Sequence, residues 1–252
     1  MITYCMMGNH FHVLVRVPPA VPLTDAELLR RAREFYGRQG CLVVVAEEGI
    51  RASGSMPTHV RETLLGRMGD VSVFMKEFKQ RFSRWYNRRH DRFGTLWAER
   101  FKSVLVEDSP QALRTVAAYI DLNPVRAGLV SDPKDYRFCG YSAALAGNKA
   151  LQQGLMGVFA EDTWRGAAAR YREAMFLQGG IAGHSAKRVL DREEIRKVLC
   201  EGGQLSEAEI LRLRVRHLTD GVILGSWAFV NEMFERYRSM FGPRRLDGAL
   251  PI

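Results

Sequence analysis

The stretch that most constrains this chain is GNHFHVLVR, residues 8–16, in which two histidines one residue apart enter an apolar, β-branched run. Gly-Asn is a turn-forming pair, so ITYCMMGNHFHVLVRVPP reads as two short strands around Gly8-Asn9, ended by Pro18-Pro19. Alternate side chains of a strand share a face. His10 and His12 therefore point the same way, with α-carbons ~6.6 Å apart on strand geometry. Phe11, Val13, Val15 and Val17 take the opposite face, where they can fill a core. Two convergent imidazoles suit one divalent cation. Two surface histidines beside a turn are the plainer alternative, and this stretch alone leaves both open.

The rest of the chain alternates helical and loop-like patterns. Thr24 with Glu27 makes a capping box for a helix through about Tyr36. Residues 37–57 hold one short strand, CLVVVA, within Gly/Ser/Pro-rich loop. From about Val60 to His90 the pattern is helical, and Phe74, Met75, Phe78, Phe82 and Trp85 form one apolar stripe expected to face the core. FKSVLVE, 101–107, reads as a strand. Ser109 as N-cap and Pro110 at the first helical position then start the helix carrying ALRTVAAYIDL. Small and polar residues around 146–160 predict a linker. Helical stretches follow at about 161–176, 191–200, 206–218 (opened by Ser206 and Glu209) and 226–240, with no strand signal after about residue 145.

The segment AAYIDLNPVRAGLV, 117–130, offers the histidines a partner. Tyr119 and Asn123 are four apart and stack on one face if the helix persists. A phenolate is a competent nucleophile towards phosphorus, and an amide oxygen can complete a metal shell. Equally, Asn123-Pro124 makes a sound start for a new short helix, which would leave Asn123 structural and Tyr119 an ordinary half-buried tyrosine.

In order along the chain, NHFHVLV, GTLWAERFKSVLVE, YIDLNPVRAGLV and DPKDYRFCGYSA resemble the REP-associated tyrosine transposases, part of the single-tyrosine HUH transposase superfamily. The resemblance spans roughly residues 3–145. It implies an α+β fold with a ferredoxin-like HUH core over 1–145, joined by the 146–160 linker to an all-helical C-terminal region, 161–252. It implies that His10 and His12 bind Mg²⁺ or Mn²⁺ with Asn123 beside the metal, and that Tyr119 attacks single-stranded DNA near hairpins. The product would be a 5′-phosphotyrosine and a free 3′-hydroxyl. Family members begin with another strand and helix ahead of the histidine strand. With the histidines at 10 and 12 that unit has no room, so the core is expected to lack it unless an in-frame upstream stretch encodes it.

Charge points the same way. The chain carries a net +9, an excess that suits a polyanionic partner. From Lys76 to Lys102 nine Lys/Arg face three acids, so +6 of that total sits in 27 residues. Bases there interleave with aromatics, as backbone phosphates and stacked bases require, which nominates Arg88, Arg89, Arg92, Trp97, Arg100 and Lys102 as DNA contacts. The same run also reads as a solvated basic helix end. Towards the C-terminus, the helices around DGVILGS, with Asn231, Arg236, Arg238, Arg244 and Arg245, suit either a helix-turn-helix DNA reader or a helical cap on the core.

Four dispersed cysteines (Cys5, Cys41, Cys139 and Cys200) form no CxxC pair and read as reduced thiols. No leader pattern and no apolar run near ~18 residues is present, so a cytoplasmic protein without a membrane partner is expected. Monomer and homodimer both remain open, as does use of Tyr119 in its own or a partner's site. The main rival function is a catalytically inactive DNA-binding remnant or regulator. A water-activating metallohydrolase would need further His or Asp ligands, which the four remaining histidines, in helical or loop context, do not suggest.

Overall fold

A computed structural model describes residues 1–17, 19, 21–181 and 222–242. Strands β1 (Thr3–Met6) and β2 (Phe11–Leu14) come first, followed by helices α1 (Asp25–Tyr36), α2 (Cys41–Ser53), α3 (Thr58–Arg67) and α4 (Val71–Arg89). Then come β3 (Leu105–Val106), α5 (Pro110–Asp121), α6 (Asn123–Arg126), α7 (Gly140–Leu145), α8 (Lys149–Phe159) and α9 (Trp164–Ile181). The last described elements are β4 (Ile223–Leu224) and α10 (Trp227–Arg236). Among the described residues the fold is mixed, mainly helical with short strands.

The chain divides into two compact units: Met1–Arg16 with the chain from Ser103 onward, and Val17–Lys102. In sequence, the second unit is therefore an insertion between β2 and β3. This corrects the expected division, in which 1–145 forms one core.

In the first unit β1 and β2 pair antiparallel, with Cys5 opposite His12 and Met6 opposite Phe11. Helix α5 starts where expected: the Ser109 hydroxyl accepts from the Ala112 amide at 3.3 Å, and Pro110 needs no donor of its own. Its apolar face (Leu113, Val116, Ala117 and Ile120) joins a core shared with Leu14, Leu151, Leu155, Phe159 and Tyr171.

At the end of α5, Asp121 is fully buried. It accepts hydrogen bonds from the Thr3 hydroxyl at 2.7 Å, from the Tyr171 hydroxyl and from the Tyr141 amide at 3.2 Å. One carboxylate thus ties β1, α5, α7 and α9 together. Gly140, which opens α7, must be glycine, because a β-carbon there would fall 2.2 Å from the Thr3 hydroxyl oxygen.

Several expectations change. Residues 146–160 are not a linker: Asn148 caps α8, which buries Leu151, Leu155, Val158 and Phe159 in the first unit's core. The strand expected over 101–107 shrinks to Leu105–Val106, and it pairs in parallel with β4, a strand the sequence did not announce. Val15 and Val17 lie beyond β2 and are exposed rather than core.

In the second unit α1, α2 and α3 enclose Leu28, Leu29, Ala32, Val43, Ala46, Val60 and Leu64. The Thr24 cap of α1 forms as expected, accepting from the Glu27 amide at 3.3 Å. CLVVVA is helical, not a strand: Val43 and Ala46, three residues apart, are buried on one helix face, and Gly54 in the left-handed region ends that helix. Asp70 caps α4 through the amides of Ser72 and Val73. On α4 only Met75 is buried, so the aromatic stripe is not core; Phe74 and Phe82 are exposed, and Trp85 is 56% exposed. The helices expected at 191–200 and 206–218, and Arg244 and Arg245, lie outside the described residues. The 226–240 helix is found as α10, and part of DGVILGS is β4 rather than a helix–helix turn.

Candidate active site

The histidine strand and the last turn of α5 meet in the first unit. The rings of His10, just before β2, and His12, within it, lie 5.1 Å apart at 86°. The His12 ring stands 6.0 Å from that of Tyr119, edge to face. Burial, then His10 and Arg126, lowers the His12 pKa to about 4, so its imidazole is neutral at neutral pH with a nitrogen lone pair to offer. His10 is exposed, and its Nδ1 lies 2.7 Å from the Asn9 side-chain oxygen.

Tyr119 is half-buried, and burial raises its pKa while Arg126 opposes the rise. The phenol is thus protonated at neutral pH and needs help to ionise. Asn123 turns its amide nitrogen back onto the helix, donating to the Tyr119 carbonyl at 3.0 Å and the Ile120 carbonyl at 3.2 Å. That satisfies carbonyls at the α5 terminus and leaves only its oxygen for a metal.

Arg126 is the residue that the sequence reading missed. Its guanidinium lies 4.2 Å from the Tyr119 ring centroid and donates to the Tyr119 carbonyl at 3.1 Å. Burial lowers its pKa to about 10, well above neutrality, so it stays charged. The signal was available: seven residues is two helical turns, which returns Arg126 to the face of Tyr119.

Two imidazoles side by side, the His12 ring neutral, fit a divalent cation of the borderline kind. Among the described residues no group of three His, Cys, Asp or Glu side chains is placed to hold a metal ion. A cation at this pair would complete its shell with amide, water or phosphate oxygens.

The nominated DNA contacts all belong to the second unit. Arg88 and Arg89 sit in the last turn of α4, and Arg92 places its guanidinium 6.0 Å from the Tyr86 ring. Lys102 is exposed and 3.8 Å from Glu99. Trp97 donates its indole N–H to the Lys79 carbonyl at 3.2 Å, with the Lys79 ammonium 5.0 Å from its ring centroid. Between α4 and residues 94–100 runs an open groove of about 590 Å³, lined by Lys79, Ser83, Arg84, Asn87, Trp97 and Arg100 among others. Phe93, beside it in sequence, is 92% exposed. Of the six nominated residues the groove includes Trp97 and Arg100, and it adds Lys79, Arg84 and Asn87.

Among the described residues no helix is long and apolar enough to cross a membrane. Comparison with protein-family models, with curated proteins and with solved structures returns no match to this chain.

Proposed function

We propose that the chain is a transposase-like single-stranded DNA endonuclease and strand transferase of the HUH type, acting beside DNA hairpins. The observation that carries the reading is the approach of His12 to Tyr119, which brings the metal-type pair and the candidate nucleophile into one site. The resemblance assigns these residues their roles, and the hairpin β1–β2 with α5 against it would belong to the ferredoxin-like core. The basic, aromatic groove of the second unit suits a single strand.

In this reading the Tyr119 oxygen attacks a backbone phosphorus, the bond to the 3′ oxygen breaks, and the 3′ oxygen takes a proton from solvent and leaves as a hydroxyl. The phenol proton passes to solvent, and the 5′ end remains on Tyr119 as a phosphotyrosine. Attack by a 3′-hydroxyl later reverses the link. Mg²⁺ or Mn²⁺ at His10 and His12 would supply charge neutralisation and polarisation of the phosphate. Arg126 keeps a positive charge against the ring whose oxygen must ionise.

The second reading is a DNA-binding protein that no longer cuts. It is favoured by the raised pKa of Tyr119, the inward use of the Asn123 amide and the lack of a third His, Cys, Asp or Glu donor among the described residues.

A covalent-adduct assay separates the two. The chain is incubated with Mn²⁺ and labelled hairpin-bearing single strands from its own locus, then run on a denaturing gel. A protein–DNA band absent from Tyr119→Phe supports the nuclease. Binding that ignores both chelator and Tyr119→Phe, with no band, establishes the non-cutting protein.

A further inference from the structure

Among the described residues no carboxylate neutralises the charge of Arg126. The side chain is half-buried, and its Nε is buried without a hydrogen-bond acceptor from the protein. Its only protein acceptor among the described residues is the Tyr119 carbonyl, and none of their carboxylates pairs with it. Arg172, in the same unit, marks the contrast, for both of its terminal nitrogens bond to Asp132. Withdrawing a cation from water is costly unless an anion or hydrogen-bond acceptors take it up. With its Nε unbonded and no carboxylate among the described residues against it, Arg126 points to an anionic ligand. The planar guanidinium fork matches two oxygens of a phosphate, and its contact with the Tyr119 ring puts any such anion beside the candidate nucleophile.

We propose that Arg126 is the phosphate-binding residue of this site, taking non-bridging oxygens of a DNA phosphodiester and holding its phosphorus against Tyr119. The assignment to a DNA phosphodiester rests on the nuclease reading. That Arg126 binds a phosphate rests on the geometry alone.

The test follows the Tyr119 ring by NMR in the full chain carrying ¹³C-tyrosine, with its resonance assigned through Tyr119→Phe. Inorganic phosphate is titrated at constant ionic strength against a chloride control. The wild-type resonance should shift saturably. Arg126→Lys, which keeps the charge but loses the fork, should bind more weakly, and Arg126→Met should lose roughly 10- to 100-fold in affinity, as deletion of one charge-assisted contact does. An unchanged midpoint in Arg126→Met, with wild-type circular dichroism, overturns the proposal. If Arg126→Met unfolds, Arg126→Lys decides: wild-type affinity in that variant refutes a role for the fork.

A single-stranded oligonucleotide with native or uncharged methylphosphonate linkages identifies the source of the phosphate. A shift with native linkages alone supports a phosphodiester. A shift with inorganic phosphate but with neither oligonucleotide overturns the DNA assignment. Loss of the covalent band with phosphate binding intact would refute the nuclease and leave Arg126 as a phosphate site, so the two failures are distinguishable.

Discussion

Replacing Asp121 with asparagine should flatten the dependence of stability on pH. The carboxylate is completely buried and, among the described residues, meets hydroxyls and an amide rather than a cation. Burial is the largest influence on it and outweighs these hydrogen bonds, raising its pKa from 3.8 to about 6. A raised acid pKa means that the folded chain holds the proton more tightly than the unfolded one. The associated stability is fully present below about pH 4 and is lost as pH rises through about 6. A shift of this size corresponds to about 3 kcal/mol across that window. The amide introduced by Asp121→Asn fills the same volume, and the Thr3 and Tyr171 hydroxyls can rotate to accept from its nitrogen.

Urea unfolding at half-unit steps from pH 4 to 7.5, followed by circular dichroism, measures the effect. Wild-type stability should fall relative to Asp121→Asn as pH rises, by about 3 kcal/mol overall. Parallel curves would refute the argument. A wild-type advantage that grows with pH would mean that the hydrogen bonds outweigh burial and that the carboxylate is ionised in the fold.

Two further outcomes follow from the contacts. Asp132→Ala leaves Arg172 without its carboxylate in a largely buried position, and should cost about 3–5 kcal/mol in unfolding free energy. A loss below about 1 kcal/mol would show that the pair behaves as an exposed one. Trp97→Ala removes the aromatic wall of the α4 groove and should weaken binding of a single-stranded oligonucleotide about tenfold by fluorescence anisotropy. Equal affinity would place the strand elsewhere.

Local signals were legible wherever the chemistry was local. Thr24 and Ser109 cap the helices they were expected to cap, because each needs only the amide three residues on. The turn at Gly8-Asn9 sits between two paired strands, and the alternation of His10 and His12 places both rings on one face. Residues 149–159 were misread as linker: Leu151, Leu155 and Val158 recur at helical spacing, but small and polar neighbours hid the pattern.

Other features exist only because distant segments meet. CLVVVA has β-branched content that favours a strand, and becomes helical because Val43 and Ala46 then face the α1–α3 core together. Two-residue strands such as Leu105–Val106 and Ile223–Leu224 carry no period of their own; each is defined by the other. The burial of Asp121 depends on Thr3 and Tyr171, which no local pattern links to it. The caps, the hairpin and the chemistry available at His10, His12 and Tyr119 were written in consecutive residues. The approach of His12 to Tyr119, the place of Arg126 beside them and the assignment of the basic stretch to a separate unit arose only from packing. Hydrogen bonding within a turn is set by neighbouring residues, whereas burial and long-range approach are set by everything that packs around them.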